Sequence, residues 1–396
     1  MRHSYASALL LAGQSLAAPV DSVNEAPAGQ NTPAGVLQLP LVPVTPDPQD
    51  ASLSKRQAQG DLNMYRFLGL RPVVGFGMPL EIGTPAQTVI VEPDTGSDLF
   101  WVPQVRAGKV REEPASVYFD KYRSTSRREL NKQNLSRYGG NEIIVWNMSA
   151  DVVSMRGQSL GEMQFGVANL QGPTKIGRVV GILGLREPIP KNPYASEFIL
   201  KKMLDSKVIS DAAFSMSVDE NGKGAITFGG YDTKKFAGPL EKFPFASQTS
   251  NKLCLGETGR ETNPSYVRSY VVNMKSISVS DSTHASHVIP DQGLTIGLDT
   301  GSPAIAMKKA IYDEVGRALG ATIPEGSSVP VINCTLMQDA RITLAMNDKV
   351  SISIPVKDFE MDVPKLKTGG NCPVAIISRD LPAGKASHEE PYLYLD

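Results

Sequence analysis

The chain has 396 residues, of which 41% are hydrophobic and 20% charged, a balance that is typical of globular proteins with one or two domains. Its formal net charge of −1 at pH 7 excludes the basic face of a nucleic-acid-binding protein and a polybasic membrane anchor. With only 4 histidines, and 3 cysteines that lack CxxC spacing, the chain offers little material for a metal site, and we expect neither a metal nor a cofactor.

The N-terminus has the pattern of a secretory signal peptide over residues 1–17. Arg2 and His3 give it a basic start, a short apolar stretch around Leu9–Leu11 follows, and Ser15-Leu16-Ala17 provides small residues for cleavage. The apolar stretch is too short to span a bilayer. We therefore expect a protein of the secretory pathway, extracellular or vacuolar; an ordinary N-terminal tail is the alternative.

Residues 18–54 contain seven prolines and no lysine or arginine. Such a segment buries too little apolar surface to offset the entropy of ordering it, so we expect it to be flexible. It is followed by Lys55-Arg56, a dibasic pair of the kind that proteases of the secretory route cut. The pair predicts a prosegment over residues 18–56 and a mature chain from Gln57; an exposed linker is the alternative.

Beyond the dibasic pair the pattern becomes that of a mostly-β protein. Leu80 and Ile82 alternate with a polar residue, Gly83-Thr84-Pro85 predicts a turn, and Thr88–Val91 is β-branched throughout. Further short strands are predicted at 143–146, 152–155, 225–228, 270–273, 341–345 and 351–354. Apolar residues at helical spacing predict two helices, Ser196–Leu204 and Lys308–Leu319. No long hydrophobic segment follows, so we expect no membrane span.

A tetrapeptide occurs twice, as Asp94-Thr95-Gly96-Ser97 and, 205 positions later, as Asp299-Thr300-Gly301-Ser302. One copy by itself is good turn chemistry and carries no function. Each copy here follows a β-rich stretch, and each half of the chain holds one, which indicates a duplicated lobe. The repeat therefore places Asp94 and Asp299 in equivalent positions of two lobes.

Two carboxyl groups held in contact cannot both ionise cheaply, so they share one proton over a wide pH range. The ionised carboxylate can take a proton from a water molecule, which attacks a peptide carbonyl, while the protonated partner hydrogen-bonds that carbonyl. Such a pair needs no metal. The other tetrad residues are expected to support it through close backbone approach at Gly96 and Gly301, hydrogen bonds across the lobe interface from Thr95 and Thr300, and hydrogen bonds to the outer carboxylate oxygens from Ser97 and Ser302.

Further motifs follow one another along the chain: Ile82–Gln87, Trp101, Gly181–Leu185, Phe214-Ser215 and Gly224–Asp232. With the two tetrads they resemble the pepsin family of aspartic proteases, from about Phe76 to the C-terminus. The resemblance implies a mostly-β, bilobal fold with a cleft between two lobes, over residues 57–243 and 244–396. It also implies an endopeptidase, expected as a monomer, that cleaves peptide or protein substrates. In such a protein Trp101 would hydrogen-bond a tyrosine of the flap, the β-hairpin that closes over the substrate.

The segment Tyr138-Gly139-Gly140 resembles the start of that flap, which makes Tyr138 the tyrosine over the substrate; a surface tyrosine in a glycine turn is the alternative. Asp151-Val152-Val153 resembles the strand that follows, while Asn141–Asn147 departs from the family's glycine- and serine-rich tip. Three sequons support secretion and predict glycans, at Asn134, Asn147 and Asn333. A glycan on Asn147 would stand near the mouth of the cleft.

The family carries a disulfide in its second lobe, and Cys334 and Cys372 match its positions. The resemblance therefore predicts a bond that closes a loop of about 37 residues and stabilises the fold by a few kcal/mol. Cys254 then remains as an unpaired, buried thiol.

The sequence departs from the family at two further places. Glu92-Pro93 precedes the first tetrad where apolar strand residues are usual, and because Pro93 lacks an N–H, we expect the strand to be irregular there or to lie at a sheet edge. Pro391–Asp396 resembles only the beginning of the second-lobe counterpart of Ile182-Leu183-Gly184. We therefore expect an incomplete second lobe, or one that is closed by Ala383–Glu390.

Two other functions are open alternatives. A catalytically silent or truncated family member would act as a binding protein, although both Asp-Thr-Gly motifs are intact. A carbohydrate-binding or adhesion module would also be rich in β-strands, but the paired tetrads and Trp101 would have no role in it. The sequence favours an aspartic endopeptidase with Asp94 and Asp299 as its catalytic pair.

Overall fold

The structure is a computed structural model. It describes residues 35–44, 75–104, 115–116, 118–138, 142–169, 180–188, 197–218, 224–246, 270–282, 286–290, 294–302, 304–325, 327, 329–361, 366–378 and 393–395. Strands far outnumber helices in these segments, so the predicted mostly-β fold is confirmed. Two separate hydrophobic cores, one in each half of the chain, correspond to the two lobes. None of the described helices is both long and apolar enough to cross a lipid bilayer.

The described part of the first lobe contains strands β1 to β11 and helix α1. The strands are Leu37–Val44 (β1), Gly75–Ile82 (β2), Gln87–Asp94 (β3), Phe100–Pro103 (β4), Ala115–Ser116 (β5), Arg128–Tyr138 (β6), Glu142–Met155 (β7), Gln158–Ala168 (β8), Gly181–Gly184 (β9), Phe214–Val218 (β10) and Gly224–Phe228 (β11). Helix α1 spans Ile199–Asp205. It begins three residues after the start of the helix predicted over Ser196–Leu204 and ends one residue beyond it.

These strands form one sheet in the order β10-β11-β1-β2-β3-β9-β4-β8-β7-β6, with β5 paired to β3. On β3, Val89 and Val91 are fully buried in the core, as the alternation of strand side chains requires. Strand β9 lies between β3 and β4, parallel to β3 and antiparallel to β4, and it places Leu183 beside Pro93. This insertion puts the end of β3, and Asp94 with it, in the interior of the protein.

Strand β1 lies within the segment that was expected to be flexible, and there the expectation is wrong. It pairs with β11 on one side and with β2 on the other, and Leu39 and Leu41 are buried in the core. Leucines at positions 37, 39 and 41 alternate, a strand pattern that the proline-rich average composition conceals. The predicted signal peptide and the rest of the prosegment, Lys55-Arg56 included, lie outside the described residues.

Strands β6, β7 and β8 form a long antiparallel meander. Strand β7 runs through both of the short strands predicted at 143–146 and 152–155, so the prediction of two separate strands is wrong. The reason is that Ile144, Trp146 and Met148 continue the alternation of buried side chains through the gap. Strand β7 begins at Glu142, so Asn141–Asn147, which departs from the family's glycine- and serine-rich tip, belongs to this strand from its second residue onwards.

The described part of the second lobe contains strands β12 to β22 and helices α2 and α3. The strands are Val271–Asn273 (β12), Ser276–Ser280 (β13), His287–Pro290 (β14), Thr295–Gly297 (β15), Ile305–Met307 (β16), Val331–Asn333 (β17), Arg341–Ala345 (β18), Ser351–Pro355 (β19), Asn371–Pro373 (β20), Ile376–Ser378 (β21) and Leu393–Leu395 (β22). The helices are Lys309–Ala318 (α2), inside the helix predicted over Lys308–Leu319, and Cys334–Asp339 (α3), which was not predicted.

The second lobe is built from three smaller sheets. Their orders are β12-β15-β22-β16-β21, β14-β13-β18-β19 and β17-β20. Helix α2 closes the core on one side by burying Ile311 and Val315, which are four residues apart and therefore on the same helix face.

The two lobes repeat one arrangement with a difference in strand direction. Strand β22 lies between β15 and β16, as β9 lies between β3 and β4. However, β22 is antiparallel to β15 and parallel to β16, whereas β9 is parallel to β3 and antiparallel to β4. The expected counterpart of β9 is therefore in position but reversed, and Ala383–Glu390, the alternative closing segment, lies outside the described residues.

The predicted disulfide between Cys334 and Cys372 is confirmed. It joins the first residue of α3 to β20, with 5.0 Å between the two Cα atoms and a sequence separation of 38. Strands β17 and β20 pair beside it, so the bond fixes α3 against this two-stranded sheet. Cys254 lies outside the described residues.

Candidate functional site

The two tetrads form matching turns where the lobes meet. Asp94 is the last residue of β3, and Asp299 follows the end of β15 by two residues. In each turn a glycine N–H donates to the carboxylate two residues earlier: Gly96 N to Asp94 Oδ1 at 2.8 Å, and Gly301 N to Asp299 Oδ1 at 2.9 Å. A carboxylate that accepts from its own turn is fixed in orientation by that turn.

The two threonines join these turns across the lobe interface. Thr95 N donates to Thr300 Oγ1 at 3.1 Å, and Thr300 N donates to Thr95 Oγ1 at 2.9 Å. Each hydroxyl then donates to a carbonyl group of the opposite lobe, Thr95 to Leu298 O at 2.7 Å and Thr300 to Pro93 O at 2.7 Å. Because every bond has a reciprocal partner, the turns are held in one relative position.

The two glycines allow each carboxyl group to lie against the opposite turn. A Cβ atom on Gly96 would lie 2.5 Å from Asp299 Oδ2, and a Cβ atom on Gly301 would lie 2.6 Å from Asp94 Oδ1. Both distances are far below van der Waals contact, so neither position has room for a side chain. The structure thus brings Asp94 and Asp299 together, each beside the backbone of the other lobe.

The environment of the pair disfavours a second negative charge. Asp94 is fully buried and Asp299 is 9% exposed. Burial raises the pKa of Asp299 well above its ordinary value, and the charge of Asp94 and a hydrogen bond with it raise that pKa further. The Gly301 N–H acts in the opposite direction, and the charge of Glu92 adds a smaller increase. The pair therefore retains one proton at pH values where an isolated aspartate has lost it.

The segment after β9 supports the first turn from behind. Leu185 N donates to Asp94 O at 2.7 Å, and Arg186 N donates to Ser97 O at 3.1 Å. The hydroxyl of Tyr270, at the start of the described second lobe, donates to Leu185 O at 2.8 Å. The turn that carries Asp94 is thus held by its own lobe and, through Leu185, by the other lobe.

The serines of the tetrads act within their own turns. Ser97 Oγ accepts from Leu99 N at 3.1 Å. Ser302 Oγ donates to Ala304 O at 3.1 Å, so its proton is directed away from Asp299, and the role expected for Ser302 at the outer carboxylate oxygen is wrong. The reason is local, since a serine in a tight turn readily bonds the backbone two residues on.

Strand β3 lies inside the sheet, but at Pro93 it is paired on one side only, with β9, which agrees with the expectation of a local irregularity or edge. The carbonyl group of Pro93 accepts from Thr300 and therefore points away from β9. In a strand the N–H of a residue points to the same side as its carbonyl group, so the N–H that proline lacks would also point away from β9. The pairing of β3 with β2 ends at Val91, so no ladder hydrogen bond is lost at the proline. Pro93 fits because this side of the strand faces the second lobe.

Three residues near the site were missed in the sequence: Trp146, Asp98 and Arg186. Trp101 is fully buried on β4, and its ring stacks on that of Trp146, with centroids 6.0 Å apart and ring planes 8° apart. Asp98 Oδ1 and Arg186 Nη2 form a largely buried ion pair at 3.5 Å. The alternation along β7 could have revealed Trp146, whereas Arg186 and Asp98 lie 88 positions apart and no local pattern links them.

The predicted flap and glycosylation residues lie at the surface hairpin and on the second lobe. Tyr138 is the last residue of β6, in backbone register with Glu142, while Gly139 lies outside the described residues. The sequon asparagines of the hairpin are Asn134, which is partly exposed, and Asn147, which is exposed. Asn333 is exposed too, and its side-chain oxygen caps helix α3.

A sequence profile of the eukaryotic aspartyl protease family matches residues 76–387 of the chain. The matched range contains both tetrads, the β6–β7 hairpin and both disulfide cysteines.

Several curated proteins are similar over most of this range. Cathepsin E of Cavia porcellus is 29% identical over 275 residues, which is 68% of this chain and 63% of the relative. The acid protease of Saccharomycopsis fibuligera is 26% identical over 248 residues, 61% of this chain and 58% of the relative. Vacuolar protease A of Neurospora crassa is 23% identical over 314 residues, 77% of this chain and 69% of the relative. The chain thus spans less than two thirds of the length of the first two.

Proposed function

The chain belongs to the eukaryotic aspartyl protease family, and on this premise we propose that it is an aspartic endopeptidase that uses Asp94, Asp299 and an activated water molecule. The observation that carries the proposal is the reciprocal contact in which each carboxyl group lies against the glycine of the other tetrad. Two carboxyl groups in such contact share one proton, as the carboxyl pair of aspartic proteases does.

The two carboxyl groups have complementary roles, one ionised and one protonated, and the shared proton belongs to the pair. We write the steps with the proton on Asp299 and with Asp94 ionised. In the first step Asp94 takes a proton from water while the water oxygen attacks the peptide carbonyl carbon, and Asp299 gives its proton to the carbonyl oxygen. In the second step Asp94 protonates the leaving nitrogen, the C–N bond breaks, and Asp299 recovers a proton from the diol. Both groups then have their starting charges.

The proposed substrates are peptides or proteins, bound as an extended segment between the β6–β7 hairpin and the carboxyl pair. We place the protein in the secretory pathway, outside the cell or in the vacuole. The signal-like N-terminus and the three sequons support this location. We expect the protein to act as a monomer, because both carboxyl groups come from one chain.

Asp94→Asn tests the proposed function. The substitution removes the base and keeps the size of the side chain, so kcat/KM on an acid-denatured protein substrate should fall by about 10²–10⁴-fold or more. Asp358→Asn is the matched control, since Asp358 is exposed in a short 3₁₀ turn and should leave activity unchanged.

A statine-type mimic of the tetrahedral intermediate should block the same activity. Binding of this mimic without turnover by the unmodified chain would indicate the catalytically silent alternative. Activity that survives in Asp94→Asn would contradict the proposed mechanism.

A further inference from the structure

Strand β1 joins two parts of the first-lobe sheet. Its residues 37–41 pair with β11, and its residues 42–44 pair with β2. In the sheet as described, the antiparallel pair of β10 and β11 is connected to the other strands through β1. Without β1, both β11 and β2 would present an unpaired edge there, and the sheet would separate into two parts.

The buried face of β1 is part of the core of the first lobe. Leu37, Leu39 and Leu41 are all buried, and they belong to the same hydrophobic cluster as Met78 of β2 and Ile226 of β11. Loss of the strand would expose this apolar surface to water, which is unfavourable in proportion to the area exposed. The surface formed by β2 and β11 therefore favours an occupied state.

Contacts outside the strand pairing also hold β1. Arg156 Nη1 donates to Gln38 O at 2.9 Å, and Gln38 Nε2 donates to Thr227 Oγ1 at 3.2 Å. Just before the strand, Gly35 O accepts from Ser210 N at 3.0 Å. These partners come from three separate segments of the lobe, so the binding of β1 does not depend on its covalent connection to β2.

The predicted processing site follows β1 in the sequence. Lys55-Arg56 is the only Lys-Arg pair of the chain. It belongs to residues 45–74, which connect β1 to β2 and lie outside the described residues. A cut at this pair breaks the covalent connection but none of the contacts between β1 and the lobe. What the cut removes is the high effective concentration that a tether gives to a bound segment.

We propose that β1 remains in the sheet after cleavage at Lys55-Arg56, so that the processed protein consists of two chains. The surface formed by β2 and β11 is then a binding site for an extended peptide, and its occupant is the chain's own segment Leu37–Val44. Strand β2 also pairs with β3, which ends at Asp94, so the retained peptide supports the strands that position the carboxyl pair. The inference concerns the composition of the processed protein and holds for an active or a catalytically silent chain.

The test is cleavage of the purified full chain by a protease specific for Lys-Arg pairs, followed by gel filtration without denaturant. Mass spectrometry of the eluted protein should find the peptide that contains β1 and the larger fragment in equal amounts. The same column in guanidinium chloride should separate the two. Arg56→Gln is the control and should stay in one piece. A larger fragment that elutes without the peptide would overturn the inference, and so would a wild-type chain that stays uncut at Arg56.

Leu39→Ala tests whether the buried face of β1 holds the peptide. The substitution leaves a cavity in the core, so the peptide should leave the cut variant about 10²-fold faster than it leaves the cut wild type. The uncut variant keeps its tether and should still unfold in one cooperative transition, which separates release of the peptide from failure to fold.

Pro40→Ala is the matched control, because Pro40 is exposed on the same strand, and the peptide should leave this variant at the wild-type rate. A release rate of Leu39→Ala equal to that of the wild type would overturn the inference, since other parts of the peptide would then hold it. Release from Pro40→Ala as fast as from Leu39→Ala would also overturn it, because the effect would not come from the buried face.

Discussion

At the residue scale, the site depends on two positions that have no side chain. Gly96 and Gly301 each face the carboxyl group of the opposite tetrad, at a distance that would exclude even a methyl group. The requirement is for close approach and not for an unusual backbone conformation, since neither glycine has a positive φ. Any added atom would therefore push the two carboxyl groups apart.

Gly301→Ala should abolish most of the activity and destabilise the protein. A displacement of the pair by about 1 Å is expected to lower kcat/KM by about 10²-fold, and overpacking at a buried site costs about 1–3 kcal/mol of unfolding free energy. Gly316→Ala is the control. Gly316 lies in helix α2, and a Cβ atom there would lie 3.8 Å from the Cβ atom of Ala321, an ordinary van der Waals distance. The control should retain activity and gain about 0.5–1 kcal/mol. Activity assays measure kcat/KM of the two variants, and denaturant unfolding measures their unfolding free energies. A Gly301→Ala protein with wild-type activity would contradict the inference that this position has no room for a side chain.

The residues that could be predicted at this scale are those whose role is local or repeated. Asp94 and Asp299 stand out because the tetrad occurs twice, and the threonines follow from the same repeat. The hydroxyl direction of Ser302 could not be predicted, because it depends on the backbone position of Ala304. The Asp98–Arg186 ion pair could not be predicted either, since the two residues meet only after β9 has inserted into the sheet.

At the scale of elements, helix α3 is a short helix held by its first residues. Asn333 Oδ1 accepts from Thr335 N at 2.8 Å and from Leu336 N at 3.2 Å, and Cys334 forms the disulfide. The same asparagine heads a sequon, so one residue combines a helix cap with a predicted glycan site. A glycan would occupy the side-chain nitrogen and leave the capping oxygen free.

Capping and glycosylation at this site can be separated by three substitutions. Asn333→Ala, Asn333→Asp and Thr335→Ala all remove the sequon, but only Asn333→Ala removes the capping oxygen. We expect Asn333→Ala to cost about 1 kcal/mol more unfolding free energy than the other two, as measured by chemical denaturation. Equal stability of all three variants would show that the cap contributes nothing.

The strands illustrate which elements a sequence predicts well. Short segments such as β18 and β19 are located correctly, because apolar and polar residues alternate along each sequence; on β18 the alternate side chains, Ile342 and Leu344, are buried. Strand β1 was missed because the composition of a long segment outweighed three alternating leucines. The direction of β22 could not be predicted, since hydrophobic period gives the faces of a strand and not its orientation in a sheet.

At the scale of the whole molecule, the carboxyl pair links stability to pH. Burial and Asp94 raise the pKa of Asp299 in the folded protein above 3.8, its value in an unfolded chain. At pH values between the unfolded-chain pKa and the raised pKa of the folded protein, the folded state binds more protons than the unfolded state. The free energy of unfolding therefore decreases as pH rises through this range. The carboxyl pair therefore makes the fold less stable as pH rises above 3.8.

Asp299→Asn should remove this penalty. Its melting temperature should exceed that of the wild type at pH 7, and the difference should shrink towards zero as pH falls to about 3.8. Asp358→Asn, at an exposed site, should show no such pH-dependent gain. Thermal unfolding followed by circular dichroism at several pH values provides the comparison, and a gain that grows on acidification would have the wrong sign.

The reciprocal threonine bonds also determine when in folding the protein brings its two carboxyl groups together. They connect residues 205 positions apart, whereas most sheet contacts of each lobe form within one half of the chain. Contacts of such long sequence separation form late, because the entropy of closing the intervening loop is lost before any bond compensates for it. Each lobe can thus acquire its core while the two carboxyl groups are still apart, so a nascent chain holds no assembled carboxyl pair until its last long-range contacts form.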